Sequence, residues 1–326
     1  MRSVHSVLNV LGIHSILSIH SVLGVLKRLK IYLKEMLPPF KCAVASAILF
    51  FEIYFFIILI ADIGAFFVGI QEIIGFATVF TFLLSLRIAD DFKDYKTDLA
   101  LFPDRPLPSG RVKKSDLAAL LIGANTVVII LNLIYMNNLI YYAILMVYGS
   151  LMSIWFFARA KIQKNLFLAL VTHNPVDLII NVYIISFTCI KYDLPIFTFN
   201  NLLIAFTLYW PTLIWEISRK TRAPGDETEY VTYSKLYGYK KITWIILLII
   251  TVDVITSAKL MYELWRPGIF AVAAAYAWFV AEGIRFINNP KRFKLVSRIE
   301  IYEAITEAPV VLIEMALIAG RLFSAA

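Results

Sequence analysis

Two cysteines in 326 residues leave no material for a disulfide framework or a thiolate metal centre. Cys42 and Cys189 both fall in or near apolar stretches, where a thiol serves as a small core side chain. Charge is scarce as well: 17% of residues are Asp, Glu, Lys or Arg, against 60% hydrophobic and a mean hydropathy of +0.77. That balance excludes an ordinary water-soluble domain. There is no Gly-x-Ser-x-Gly elbow, no His-Glu-x-x-His pair and no Gly-rich phosphate loop, so the usual soluble hydrolase and nucleotide-binding signatures are missing too.

What is present is a series of apolar runs, several approaching the roughly 20 residues that cross a bilayer. They predict spans near 42–61, 65–90, 116–136, 138–158, 166–188, 198–216, 242–259, 266–285 and 301–320. The expected architecture is an all-α polytopic membrane protein with nine transmembrane helices. The formal net charge of +8 reads as membrane orientation, not as nucleic-acid binding. With a cytoplasmic N-terminus, all but Lys191, Lys259, Arg266 and Arg321 of the 31 basic residues fall on the cytoplasmic side, as the positive-inside rule requires. Both of the longest polar loops then face the cytoplasm.

The chain divides at about residue 35. Within 1–35, His5-Ser-Val-Leu, His14-Ser-Ile-Leu and His20-Ser-Val-Leu form an imperfect repeat. Spacings of nine and six bring no two histidines to neighbouring helix positions, which argues against a metal site. A basic start and a small-residue cleavage site are both absent from this stretch, unlike a signal peptide. It is expected to be a surface-lying or disordered N-terminal extension, with residues 36–326 forming the membrane domain.

The densest chemistry lies after the second span, in Asp90-Asp-Phe-Lys-Asp-Tyr-Lys-Thr-Asp98. On a helix Asp91, Asp94 and Asp98 share one face within an arc of about 60°. Crowded carboxylates repel one another unless a cation lies between them. Magnesium suits such a place, because it takes oxygen ligands and is often held by carboxylates together with a substrate's phosphates. The loop that follows is stiffened by Pro103, Pro106 and Pro108, allowed an unusual turn by Gly110, and equipped with Arg105 and Arg111 as forked donors for phosphate oxygens. These features predict Mg2+ bound with a diphosphate.

This segment resembles the first signature of the UbiA superfamily of intramembrane prenyltransferases, Asn-Asp-x-x-Asp-x-x-x-Asp followed by Pro-x-Arg-Pro-Leu-x-Ser-Gly. Here Asp90 replaces the asparagine and Pro103-Asp-Arg-Pro-Leu-Pro-Ser-Gly110 supplies the loop. The resemblance implies a nine-helix UbiA-like bundle with a central cavity. It also implies a prenyl diphosphate whose head binds between two cytoplasmic acidic loops, and an aromatic or lipid-like acceptor. In the second loop the family's Asp-x-x-x-Asp is out of register, the chain reading Trp215-Glu-Ile-Ser-Arg-Lys-Thr-Arg-Ala-Pro-Gly-Asp-Glu227. Glu216 and Asp226 are the candidates there for the second-metal carboxylates, beside Asp90, Asp91, Asp94 and Asp98 for the first. Arg219 and Lys220 join Arg105, Arg111, Arg159 and Lys161 as candidate diphosphate ligands.

Inside the fifth span, His173, Asp177 and Asn181 repeat at i, i+4 and i+8. Ionisable groups at membrane depth pair or face a cavity, so this stripe is the candidate acceptor site, with His173 and Asp177 taking the acceptor's proton. An interhelical hydrogen-bonding role stays open for it. Glu52, Glu72, Asp253, Glu303 and Glu307 receive no role. Two alternatives remain beside prenyl transfer: a membrane terpene cyclase of the same family, and a transporter or lipid carrier. A CDP-alcohol phosphotransferase would need an Asp-Gly opening and an Ala-Arg pair that the motif does not have.

Overall fold

A computed structural model describes residues 22–227 and 231–324, with side chains described to Arg321. Within these residues the chain is helical, with no strand. The histidine repeat and Glu229 of the second acidic loop lie outside the described residues.

The helices follow in order: α1 over 22–36, α2 Pro39–Ile60, α3 Ile70–Lys93, α4 Tyr95–Leu101, α5 Lys114–Tyr135, α6 Leu139–Ser153, α7 Arg159–Ile162, α8 Leu166–His173, α9 Pro175–Lys191, α10 Phe199–Thr207, α11 Trp210–Arg219, α12 Tyr233–Tyr237, α13 Tyr239–Leu264, α14 Gly268–Asn288 and α15 Leu295–Ser324. Six stretches among the described residues are long and apolar enough to cross a membrane: α2, α3, α5, α8 with α9, α13 and α14. The other three expected spans depart from simple crossing helices, each for a local reason. At 15 residues, α6 is about 22 Å long, short of a hydrocarbon core of about 30 Å. The span expected over 198–216 is broken between α10 and α11, where Pro211 has no N–H to continue the ladder. The last, α15, runs for 30 residues with Pro309 inside it and carries Glu300, Glu303, Glu307 and Glu314.

The chain forms two compact units. The first comprises the residues up to Ile48 and Phe76–Ile134. Its core joins Tyr32 of α1 and Leu37 to Leu84 and Ile88 of α3, Leu107 and Val112 of the proline-rich loop, and Leu117 of α5. Hydrophobic burial therefore fixes the acidic motif and its loop from both sides.

The second unit comprises Leu49–Gly75 and the residues from Tyr135 onward. There α13 packs on α14, α14 on α15, and α11 on both α13 and α15, while α6 lies against α9. Ile214, Ile246, Ile250, Phe279, Phe286 and Ile299 are buried in its largest core. Helix starts are set by side-chain caps: Asn165 accepts from the Leu168 N–H, Thr198 from Asn201 and Thr232 from Lys235. Close helix approach is set by Gly75, where an added Cβ would meet the Phe50 ring at 2.5 Å and the Phe187 ring at 2.9 Å. Gly75→Ala should therefore cost about 1–3 kcal/mol by overpacking, read as a lowered melting temperature in detergent. Gly123→Ala, with nothing within 4 Å of the new Cβ, should instead gain about 0.5–1 kcal/mol as a helix-interior replacement. Equal shifts for the two would contradict this packing account.

Candidate functional site

The first acidic motif lies where α3 passes into α4. Asp94 makes the junction, with φ −99° and ψ 7°, in the sparsely populated bridge region where many active-site residues are found. Its N–H bonds the Asp90 carbonyl, and the Asp98 N–H bonds its own carbonyl in turn, both at 2.9 Å. The motif thus continues almost helically through the bend. Asp91 and Asp98 are both buried, which a charged carboxylate accepts only with a partner. Asp91 has two: the Tyr32 hydroxyl donates to it at 2.6 Å and Arg87, one turn earlier, reaches it at 2.9 Å. Asp98 accepts from Arg105 at 2.8 Å, and Asp90 from Lys93 at 2.6 Å.

Arg105, expected as a diphosphate ligand, reaches the motif, and its guanidinium also covers the Phe102 ring at 4.0 Å. Gly110 has φ +75°, the left-handed value that closes the turn, and the Val112 N–H returns to the Pro106 carbonyl at 3.0 Å. Arg111, expected as a diphosphate ligand, is paired with a carboxylate. Its fork grips Glu35 at 2.5 and 2.8 Å, and it also donates to the Asp104 carbonyl at 2.6 Å.

Helix α1 is the component that sequence reasoning missed. Residues 22–35, expected to belong to a surface-lying or disordered extension, form a helix that packs on the acidic motif and its loop. Arg28 forms a forked pair with Asp116 at 2.6 and 2.9 Å, Tyr32 bonds Asp91, and Glu35 bonds Arg111. These positions, i, i+4 and i+7, share one face, and that face touches the start of α5, the acidic motif and the proline-rich loop. Tyr32 is fully buried. Its burial, with the Asp91 carboxylate as the next cause, pushes the phenol well above its usual range, so it remains a donor. The Arg111 hydrogen bond holds Glu35 below the ordinary carboxylate range. The available signal was the spacing of Arg28, Tyr32 and Glu35, overshadowed by the histidine repeat before it.

Magnesium can be judged against this donor set. The carboxylates are oxygen-only and suit a hard cation, and Arg87, Lys93 and Arg105 stand where positive charge is needed. Among the described residues, however, no three acidic, histidine or cysteine side chains are grouped ready to hold a metal. The residues fit magnesium in kind and charge; binding it requires the aspartates to exchange their present cationic partners.

The second acidic loop differs from expectation. Glu216 and Asp226 do not come together as a pair of metal carboxylates. Glu216 lines a cavity of about 460 Å³ with Asp177, Glu303 and Glu307, and both its oxygens are taken, by Arg219 at 2.5 Å and Lys220 at 2.8 Å. Asp226 lines a different cavity of about 610 Å³. The Pro224-Gly225 turn separates them: Gly225 has φ +93°, and the Asp226 N–H closes on the Ala223 carbonyl at 3.0 Å. Glu227 is drawn inward by the hydroxyls of Thr232 and Ser234. Arg219 and Lys220 serve Glu216 instead of standing open for phosphate, while Arg159 and Lys161 are exposed on α7.

The stripe His173, Asp177 and Asn181 is also divided. Asn181, buried, donates to the Ala205 carbonyl at 3.0 Å and ties α9 to α10, an interhelical contact. Asp177 faces the 460 Å³ cavity. His173 shares a 3.0 Å hydrogen bond with Thr172, and its ring lies 5.1 Å from that of Trp155 and 6.0 Å from that of Phe156. Those aromatics belong to a turn in which Trp155, Phe156 and Phe157 all have positive φ, from 48° to 58°. Three successive bulky residues in the left-handed region store backbone strain of a kind that clusters at functional sites; the sequence gives no warning of it. Glu72 and Asp253, left without roles, are both satisfied. Glu72 is paired with Lys191 and accepts from Tyr54 at 2.9 Å, and Asp253 accepts from Tyr302 at 2.7 Å.

No protein-family profile matches the sequence, and no curated protein matches it. The fold is similar to a solved structure of digeranylgeranylglyceryl phosphate synthase in membranes, with a TM-score of 0.62 over 89% of this chain and 98% of that one, at 18% identity. At that identity the likeness establishes the fold: an all-helical membrane architecture that the two chains share.

The α1 contacts give a direct test. Tyr32→Phe removes a hydrogen bond to a buried charged group, an effect of about 1.5–3 kcal/mol, and should lower the melting temperature clearly. Glu35→Gln, at an exposed pair, should change it little. Equal melting temperatures for Tyr32→Phe and the parent protein would contradict the role given to α1.

Proposed function

We propose that this protein is a magnesium-dependent intramembrane prenyltransferase of the UbiA type, which ionises a prenyl diphosphate and passes the prenyl group to an aromatic or hydroxyl acceptor. The observation that carries the reading is the fold: 89% of the chain follows that of a digeranylgeranylglyceryl phosphate synthase, itself a UbiA-superfamily prenyltransferase. Its sequence supports the same reading, because the acidic motif and proline-rich loop occur together and in family order.

In the reaction, the carbon–oxygen bond of the allylic diphosphate breaks and the electron pair leaves with the diphosphate. The acceptor then forms a bond to the allylic carbon and gives up a proton. Asp91, Asp94 and Asp98, with Asp90, are the residues that would hold Mg2+, which supplies positive charge to the leaving diphosphate. Arg87, Lys93 and Arg105, freed from their aspartates, turn to phosphate oxygens, where forked and charge-assisted donors act most strongly. Tyr32 keeps Asp91 oriented through that exchange. Asp177 is the proposed proton acceptor, since it faces open space in its own unit. The N-terminus and both acidic loops are assigned to the cytoplasm on the distribution of basic residues.

Purified protein given a labelled prenyl diphosphate and membrane lipid extract should release diphosphate only when magnesium is present, and EDTA should stop the release. Asp94→Ala should reduce it by about 100-fold or more, the scale of losing a preorganised electrostatic group. Release that persists in Asp94→Ala, or in EDTA, would contradict the assignment.

A further inference from the structure

The cavity of about 610 Å³ that receives Asp226 has a charge opposite to that of its acidic neighbour. Four basic residues line it, Arg219 and Arg222 from the end of α11 and the loop beyond, and Lys291 and Lys294 from the turn between α14 and α15. Among the described residues Asp226 is its one lining carboxylate. Nearby cations in the same unit are already neutralised: Arg219 and Lys220 by Glu216, and Arg285 and Arg298 by Glu282. Lys291 and Lys294 have no carboxylate partner among the described residues, and both are exposed. The hydroxyls of Ser218 and Thr221 donate to the carbonyls of Ile214 and Ile217, so donation into the cavity falls to the cationic side chains.

The backbone brings these groups together. Gly225, at φ +93°, turns the 223–226 segment toward the α14–α15 turn, and an added Cβ there would lie 3.9 Å from Lys291 Nζ. The opposite wall is apolar. Phe286 and Phe293 meet with ring centroids 5.9 Å apart, and the Arg298 guanidinium covers Phe293 at 4.7 Å. A cationic rim beside an aromatic wall selects an anion that carries an apolar chain.

We propose that this cavity binds the phosphate head of an amphiphile, with Lys291 and Lys294 as its ligands. The site assumes neither magnesium nor prenyl transfer, and neither Lys291 nor Lys294 belongs to the sequence motifs. Two sources share the required chemistry: a prenyl diphosphate, and the headgroup of an anionic phospholipid.

The test uses the full chain in phosphatidylcholine nanodiscs with EDTA present, so that metal-dependent binding at Asp91–Asp98 contributes nothing. Inorganic pyrophosphate binding should weaken tenfold or more in K291A/K294A. It should stay within twofold of the parent in K164A/K240A, which removes the same charge from exposed positions elsewhere in the unit. Unchanged melting temperatures confirm that both variants fold. Farnesyl thiodiphosphate binding at least tenfold tighter than pyrophosphate assigns the site to a prenyl diphosphate; displacement of pyrophosphate by phosphatidic acid in the nanodisc assigns it to a lipid headgroup. Absence of pyrophosphate binding by the parent protein, or equal weakening in the two double variants, overturns the proposal. Because magnesium is excluded, that failure would leave the prenyltransferase reading untouched.

Discussion

Compensation of carboxylate charge at helix ends is the constraint on which this structure rests. A carboxylate removed from water must find a cation or a strong donor, or it destabilises the fold by several kcal/mol. Here the compensation at the helix ends is local, while Glu52, Glu303 and Glu314 each keep a buried carboxylate oxygen without a hydrogen-bond partner among the described residues. Asp91 has Tyr32 and Arg87, Asp98 has Arg105, Asp116 has Arg28, Glu216 has Arg219 and Lys220, and Glu282 has Arg285 and Arg298. Several of these pairs lie within one helix turn, so they form wherever the helix does. Others join separate segments, and these hold the proline-rich loop and α1 against the acidic motif.

Such pairing also gives the proposed chemistry a starting state. Aspartates already held by arginine and lysine are oriented before any ligand arrives, and their partners have the chemistry to take up a diphosphate once released. Buried ion pairs contribute little net stability. Their exchange for metal and phosphate contacts is consequently not opposed by a large loss. In the second unit the same logic yields two cavities of contrasting lining. One gathers Asp177, Glu216, Glu303 and Glu307, the other Arg219, Arg222, Lys291 and Lys294. The charge of the second lining suits an anion, and that of the first does not.

Much of this was legible from the sequence, and the limits have physical causes. Apolar runs located the helices well, because burial in lipid demands length and hydrophobicity that few other structures need. They could not reveal where Pro211 interrupts one run, or that α6 stops 15 residues after it begins. Spacing placed Asp90 to Asp98 on one continuous, nearly helical stretch, as the α3–α4 junction shows. The contact of Arg111 with Glu35 was not legible, because Glu35 lies 76 residues away, a separation no local pattern encodes. The pairing of Glu216 with Asp226 failed for a related reason: the turn at Gly225 sends the chain toward Lys291, and helix spacing does not continue past it. Asn181 shared a helix face with Asp177 but met the Ala205 carbonyl of a neighbouring helix. Periodicity places residues on a face; it does not say what the face meets.

The central claim is that the aspartates from 90 to 98 take up a divalent metal together with the diphosphate of a prenyl donor. A structure solved with manganese and farnesyl thiodiphosphate tests it most directly, using the anomalous signal of the metal. Manganese bound by Asp91, Asp94 and Asp98, with Lys93 and Arg105 moved from carboxylate to phosphate oxygens, is the predicted result. A bound diphosphate with no metal at this motif, and Asp90, Asp91 and Asp98 still paired with Lys93, Arg87 and Arg105, would contradict it.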